Sequence, residues 1–328
     1  MELIKNNQQE IIISAGATES KGDELSPFIE SNTKQIRFKE LRDKCIIPVF
    51  AKDNEKSIAH HELIETVFNQ VNSVFTGNTI SPPEIRVSHQ IKGRIPEAIH
   101  KHANELLEYE KTQYFERMAF IIRIPSITTN INGNSLSLVV GGVRAYNREN
   151  LYSKKSLEKF QVFIGFQNMV CCNLCISTDG FKSELRASEI SELGSKINSL
   201  LHSYQKDQQI EEMKSLENQY LNEREFAHLI GRMKLYQYLP KELSKSIPEL
   251  LITDGQIASI AKDYYTDKRF CRNEDEQINM WNLYNLFTSS VKSSYIDSFV
   301  GRNANSFDFV KGVNKALNSS SEYDWYLN

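Results

Sequence analysis

The chain has no apolar run approaching the ~20 residues that a membrane helix needs, so no helical span is expected. Its opening, MELIKNNQQEIII, lacks a charged segment followed by an apolar one, so no secretory signal is expected either. Cysteine is scarce: five in 328 residues, an odd count that fits reduced thiols in a cytoplasmic protein rather than a disulfide framework. There is no G-x-x-x-x-G-K-[ST] loop, which argues against a nucleotide-driven motor, and no G-x-S-x-G nucleophile turn. A repeat of fixed period and a long low-complexity linker are also missing, so no domain boundary shows itself.

Several near-motifs fail for identifiable reasons. His61-Glu62-Leu63-Ile64-Glu65 approaches H-E-x-x-H, but the second histidine, needed one helical turn on to face the same metal, is Glu65. Cys171, Cys172 and Cys175 form one C-x2-C pair plus a neighbour, whereas a structural zinc needs four ligands and Cys45 and Cys271 stand far off in sequence. Small buried hydrophobes are the better reading of these thiols. His100 and His102 diverge on a helix. Asp207 with Glu212 and Lys214 has faint nuclease spacing but falls in a helical pattern, with no strand to hold the carboxylates together. No metal, cofactor or catalytic residue is therefore assigned.

What the chain does have is a dense apolar stretch, 118–178, patterned as an antiparallel β-meander. The run 118–124 is rich in strand formers and is expected to stop at Pro125. Asn132-Gly133 is the strongest short hairpin signal, because a type I′ turn needs positive φ twice. Leu136, Leu138 and Val140 then alternate with Ser135, Ser137 and Val139, and Gly141-Gly142 predicts a bulge or a close backbone approach. A third strand runs from Phe160, and a fourth spans about 169–178 and ends at Asp179-Gly180.

Around this core, residues 1–35 read as a flexible polar arm and 36–328 as one domain, sheet-rich to 180 and helix-rich after it. Residues 46–50 suit a short edge strand, and Ser57 a helix cap before Ile58, Ile64, Val67, Val71 and Val74. A short strand fits 84–90, a helix 97–117 with Ile99, Leu106, Leu107 and Tyr114 as its contacts, and a polar loop 147–156. Helical spacing returns at 188–204 and 210–220, a seam that packs on the sheet or serves a homo-oligomer. Further helices are expected at 222–236 (capped by Asn222), 253–265 (capped by Thr253 or Asp254), 275–295 and 306–317, with a turn at 301–303 and an aromatic tail, 323–327, folded back onto the body. The expected class is α+β: a central antiparallel sheet covered by helices, with a helix-rich C-terminal half.

Charge is uneven. Residues 86–160 carry 12 Lys/Arg against 7 Asp/Glu, while the segments on either side are both acidic. If folding gathers this excess on the sheet, Arg94, Arg123, Arg144, Arg148, Lys154 and Lys155 would meet phosphates, with Tyr146 and Tyr152 stacking on unpaired bases. The plainer alternative is ordinary surface charge scattered over several faces. The buried amides Gln167, Asn168 and Asn173 must find partners, either as structural glue or as part of a site.

Three segments also carry a resemblance: RVSHQIKGRIPEAIHKHANELLEYEKTQYFERMAF (86–120), VGGVRAYNRENLYSKKSLEKFQVFIGFQNMVCCNLCISTDG (140–180) and GRNANSFDFVKGVNKAL with SEYDWYL (within 301–327). Together they resemble an uncharacterised family typical of Bacteroides-type bacteria and their mobile elements, distantly similar to phage- and plasmid-associated proteins of unknown function. The resemblance spans about 35–328 and supplies no catalytic residue. It implies a phage, plasmid or conjugative setting, which favours DNA transactions by association. The leading expectation is a non-enzymatic, cytoplasmic protein binding single-stranded DNA in replication or recombination. The alternatives are a protein-interaction or regulatory module, and a metal-dependent nuclease whose carboxylates meet only on folding.

Overall fold

Asn132 and Gly133 both take positive φ, 46° and 75°, and close a two-residue hairpin between β5 (Arg117–Ile131) and β6 (Asn134–Ala145). This is the turn the Asn-Gly pair predicts. The computed structural model describes residues 27–45, 58–148 and 157–328. Strand β5 does not stop at Pro125. It continues to Ile131, and the register slips between Ile124 and Thr128, a bulge that accommodates a residue unable to donate to the ladder. Gly141 and Gly142 lie in an unbroken ladder. A Cβ on Gly141 would meet Phe120 O at 2.4 Å and the Phe163 ring at 2.5 Å, so the glycine marks a close approach rather than a bulge.

The main sheet is antiparallel, in the order β1 (Lys34–Ile36), β2 (Glu84–Val87), β5, β6, β7 (Glu158–Asn168) and β8 (Leu174–Cys175). Strand β9 (Phe181–Ala187) shares the outer edge of β7 with β8. Strand β9 replaces most of the strand expected at 169–178. There the chain turns instead, with Cys172 at φ 60°, and only Leu174–Cys175 pairs.

From Leu136 to Ala145 and from Phe160 to Asn168 every side chain is buried or backed by glycine, so both sheet faces are covered. On one face Glu158 accepts from Ile58 N, just before helix α2 (His60–Val74), following the short α1 (Phe38–Lys44). On the other face Gln161 reaches the first turn of the 21-residue helix Ile296–Ala316. Among the described residues the remaining helices are α3 (Ile190–Ser203), α4 (Lys206–Ser215), α5 (Glu223–Tyr236), α6 (Lys241–Ser244), α7 (Asp254–Thr266) and α8 (Met280–Val291), which makes Ile296–Ala316 α9. A small ribbon, β10 (Tyr220–Asn222) with β11 (Gln277–Asn279), precedes α5 and α8. The molecule is α+β, as patterned.

Several expectations are corrected. The arm does not extend to residue 35: Phe28 and Ile29 are buried, Glu30 N and Ser31 N donate to Lys292 O, and β1 pairs with β2. The strand expected at 46–50 and the Ser57 cap lie outside the described residues. No helix fills 97–117; its Thr112, Tyr114 and Phe115, all strand formers, pair in β4 (Lys111–Phe115) with β3 (Gln90–Arg94). The turn expected at 301–303 is the middle of α9, where Asn303 is buried and donates to Phe299 O at 3.0 Å. Within the seam 190–220, Leu193, Ile197, Leu200, Met213 and Leu216 are buried within the chain, while Ile190 and Tyr220 at its two ends are exposed. The caps at Asn222 and Thr253 form, each with a reciprocal bond from the residue three on. The tail folds back, with Tyr326 buried and its ring 4.8 Å from that of Phe309.

Candidate functional site

Of the residues expected to form a basic and aromatic groove, Arg94, Arg123, Arg144 and Tyr146 have described side chains, and each is engaged within the fold. Arg144 is buried, its guanidinium 4.7 Å from the centroids of both Tyr146 and Phe160 and paired with Glu158. Tyr146 is buried too, its ring tilted 31° against that of His60 with centroids 4.5 Å apart, so it offers no face to a base. Arg123 lies in the middle of β5, donating to Gln167 Oε1 and Glu84 Oε2, both at 2.5 Å. Arg94 donates to the carbonyl of Lys101. Arg148 ends a 3-10 turn, and its side chain, together with Tyr152, Lys154 and Lys155, lies outside the described residues. A cation that already holds a carboxylate or lies between rings has fewer donors left to offer a phosphate.

These residues build a structural junction instead. Glu158 bridges Arg144 and the amide of Ile58, tying β7 to the start of α2. His60, the first residue of α2, bonds through Nε2 to Phe115 O at 2.8 Å; since a carbonyl only accepts, Nε2 carries the proton. Burial and the nearby Arg144 cation push the His60 pKa down to about 3, so the ring stays neutral. Burial also lifts the Glu158 carboxyl above its ordinary range despite the adjacent guanidinium.

The buried amides form a second junction. Asn168 Nδ2 donates to Asn285 Oδ1 at 3.2 Å, Asn173 Nδ2 to Asn285 O at 3.0 Å, and Asn285 Nδ2 to Trp281 O at 2.9 Å. They pin the turn between β7 and β8 to α8. Cys171, Cys172 and Cys175 lie in this turn and in β8 as free thiols, each with its pKa raised chiefly by burial. Among the described residues no group of three His, Cys, Asp or Glu side chains is placed to hold a metal ion.

The surface feature that sequence reasoning missed is the ribbon β3–β4. Its strands pair with each other and form a sheet separate from the main one. Its base is anchored by Phe115, which is buried and whose carbonyl holds His60. Its far end, 95–110, is organised around Glu110, which is buried: the carboxylate accepts from Leu107 N at 2.9 Å and pairs with Lys101, and its backbone carbonyl accepts from Ile95 N at 2.9 Å. Lys101 holds the Glu110 carboxyl below the usual range. Around this polar centre Ile99, Leu107 and Tyr109 stand 64%, 50% and 72% exposed. The ribbon carries four cations (Lys92, Arg94, Lys101, Lys111) and four carboxylates (Glu97, Glu105, Glu108, Glu110), so it is not a basic arm. The signal in the sequence is Gly93 and Pro96 just ahead of the run, with strand formers at 112–115.

A family model described as "Domain of unknown function, B. Theta Gene description (DUF3871)" matches residues 6–327. No curated protein and no solved structure matches.

Proposed function

The chain belongs to this family of unknown function, and from that premise we propose that it is a non-enzymatic interaction module whose ribbon tip docks on a protein partner. One observation carries the reading. Three large apolar side chains, Ile99, Leu107 and Tyr109, stand in water on a segment ordered by its own hydrogen bonds. Aromatic and aliphatic anchors of this kind, ringed by charge, are what protein interfaces bury at their centre. The sheet faces, by contrast, are already covered. Affinity capture from the native host with the wild type and with an Ile99→Asp/Leu107→Asp/Tyr109→Asp variant tests this. A partner retained by the wild type and lost by the variant is expected. Identical captures from the two, with both folded, remove the proposal.

Single-stranded DNA binding in a mobile-element setting is the second reading. It is supported by the run of Arg148, Tyr152, Lys154 and Lys155 within ten residues, and by the setting the resemblance implies. Fluorescence anisotropy with a labelled oligonucleotide should then show salt-dependent binding that weakens in Arg148→Ala/Lys154→Ala/Lys155→Ala. A flat signal at low salt ends this reading. A cytoplasmic location fits five free thiols, and among the described residues no helix is long and apolar enough to cross a membrane.

A further inference from the structure

Strands β7 and β9 lose register between Phe160 and Val162, so that Ser183 and Glu184 together oppose Gln161. A bulge of this kind redirects side chains and weakens the ladder locally. Here it opens onto a cavity of about 440 Å³ between the sheet and the first turn of α9, with Val143 and Ala145 of β6 as an apolar floor. The charges on its walls are already matched. Glu184 pairs with Lys159 at 2.5 Å and with Arg186 at 3.0 Å, and Asp297 has an interaction partner of its own. A charged guest would give up its hydration and find no free counter-charge, so the cavity suits a neutral one.

What the walls lack is hydrogen-bond partners. Gln161 is 8% exposed, its Nε2 donates to Asp297 O at 3.5 Å, and its Oε1 has no partner among the described residues. The bond to a carbonyl fixes the amide's sense, so the group left over is an acceptor and its complement is a donor. Arg117 has the opposite need. It stands opposite Ala145 in the β5–β6 ladder, hence on the same face, and its guanidinium carbon lies 5.8 Å from the ring centroid of Tyr295, which precedes α9. Its Nε is buried and has no acceptor among the described residues. One acceptor and one donor, each desolvated without a partner, therefore flank the apolar floor.

We propose that this cavity binds a small neutral amide with an apolar tail. Its N–H donates to Gln161 Oε1, its carbonyl accepts from Arg117 Nε, and its alkyl body covers Val143 and Ala145. The site is independent of the ribbon and of any protein partner.

Ligand-observed NMR titration of the full chain tests it, with n-butyramide as probe. The ketone 2-pentanone has the same shape and carbonyl but no N–H, while n-butylammonium and butyrate keep the chain and carry a charge. Saturable binding of n-butyramide is expected, at least about fivefold tighter than any of the three, the factor one net hydrogen bond supplies. Gln161→Leu removes the acceptor and should weaken n-butyramide by about the same factor while leaving 2-pentanone unchanged. Ala145→Leu fills the floor and should abolish binding. The comparison of amide with ketone needs only the wild-type chain, so it decides even where a variant fails to fold. Equal affinity for 2-pentanone would show only an apolar crevice, and a charged control binding as tightly as the probe would show an unmatched charge. Binding that survives Ala145→Leu would lie elsewhere, and no saturable signal in the millimolar range would leave the cavity without this ligand. Any of the four overturns the proposal.

Discussion

His60 makes the stability of this fold depend on pH between about 7 and about 5. In the folded chain its pKa is about 3, because the ring is buried and faces the Arg144 cation; in the unfolded chain it returns to 6.5. Below that value the unfolded state binds a proton that the folded state refuses. Stability therefore falls as pH drops through 6.5 and goes on falling until about pH 3. Integrating the linkage relation between these two pKa values gives a loss of about 2 kcal/mol from about pH 7 to about pH 5. Carboxylates elsewhere contribute to the total, so the measurement is a difference. His60→Gln keeps a side-chain N–H for Phe115 O but cannot titrate. Urea unfolding of wild type and variant across this range should show the wild type losing about 2 kcal/mol relative to His60→Gln as pH falls. The loss of ring contact with Tyr146 offsets the variant by a constant and drops out. Parallel curves for the two proteins would refute the reasoning, as would a His60 ring resonance that titrates near 6.

Other substitutions have signs set by the same packing. Glu158→Gln takes a carboxylate from the buried Arg144 guanidinium and should cost about 3 kcal/mol; adding Arg144→Met should recover part of this, as urea melts would show. Asn285→Leu takes the acceptor from Asn168 Nδ2 and should cost about 1–3 kcal/mol, with faster hydrogen exchange of the amides at 168–173. Two helical glycines should move in opposite directions. Around Gly231 an added Cβ meets nothing within 4 Å, so Gly231→Ala should stabilise by about 1 kcal/mol. At Gly312 the added carbon would lie 2.2 Å from the Tyr323 ring, so Gly312→Ala should destabilise by about 1–3 kcal/mol, and thermal melts of the pair read both signs.

Local chemistry decided the parts of this chain that could be read directly. The Asn132-Gly133 turn needs only the φ freedom of two residues, and the Asn222 and Thr253 caps need only a side-chain oxygen three residues before an exposed N–H. The alternation of β6 and β7 likewise follows from side chains on a pleated strand, and with helical spacing beyond residue 180 it was enough to settle the α+β class. Where the outcome rests on a distant partner, local patterning misleads. Asn303 looks like part of a turn until its helix is packed, and residues 97–117 fit a helical stripe until β4 finds β3.

The sequence alone determined a meander with helices around it and an excess of positive charge over 86–160. Only the tertiary structure decided where those charges go. Arg144 turns inward between two rings and Arg123 pairs with Glu84, because a guanidinium on a covered sheet face is stable only when a carboxylate is covered with it. It also decided which apolar residues remain in water. Spacing marks a side chain as apolar, but whether another element lies over it is set by contacts between residues far apart in the chain, and among the described residues none lies over Ile99, Leu107 and Tyr109.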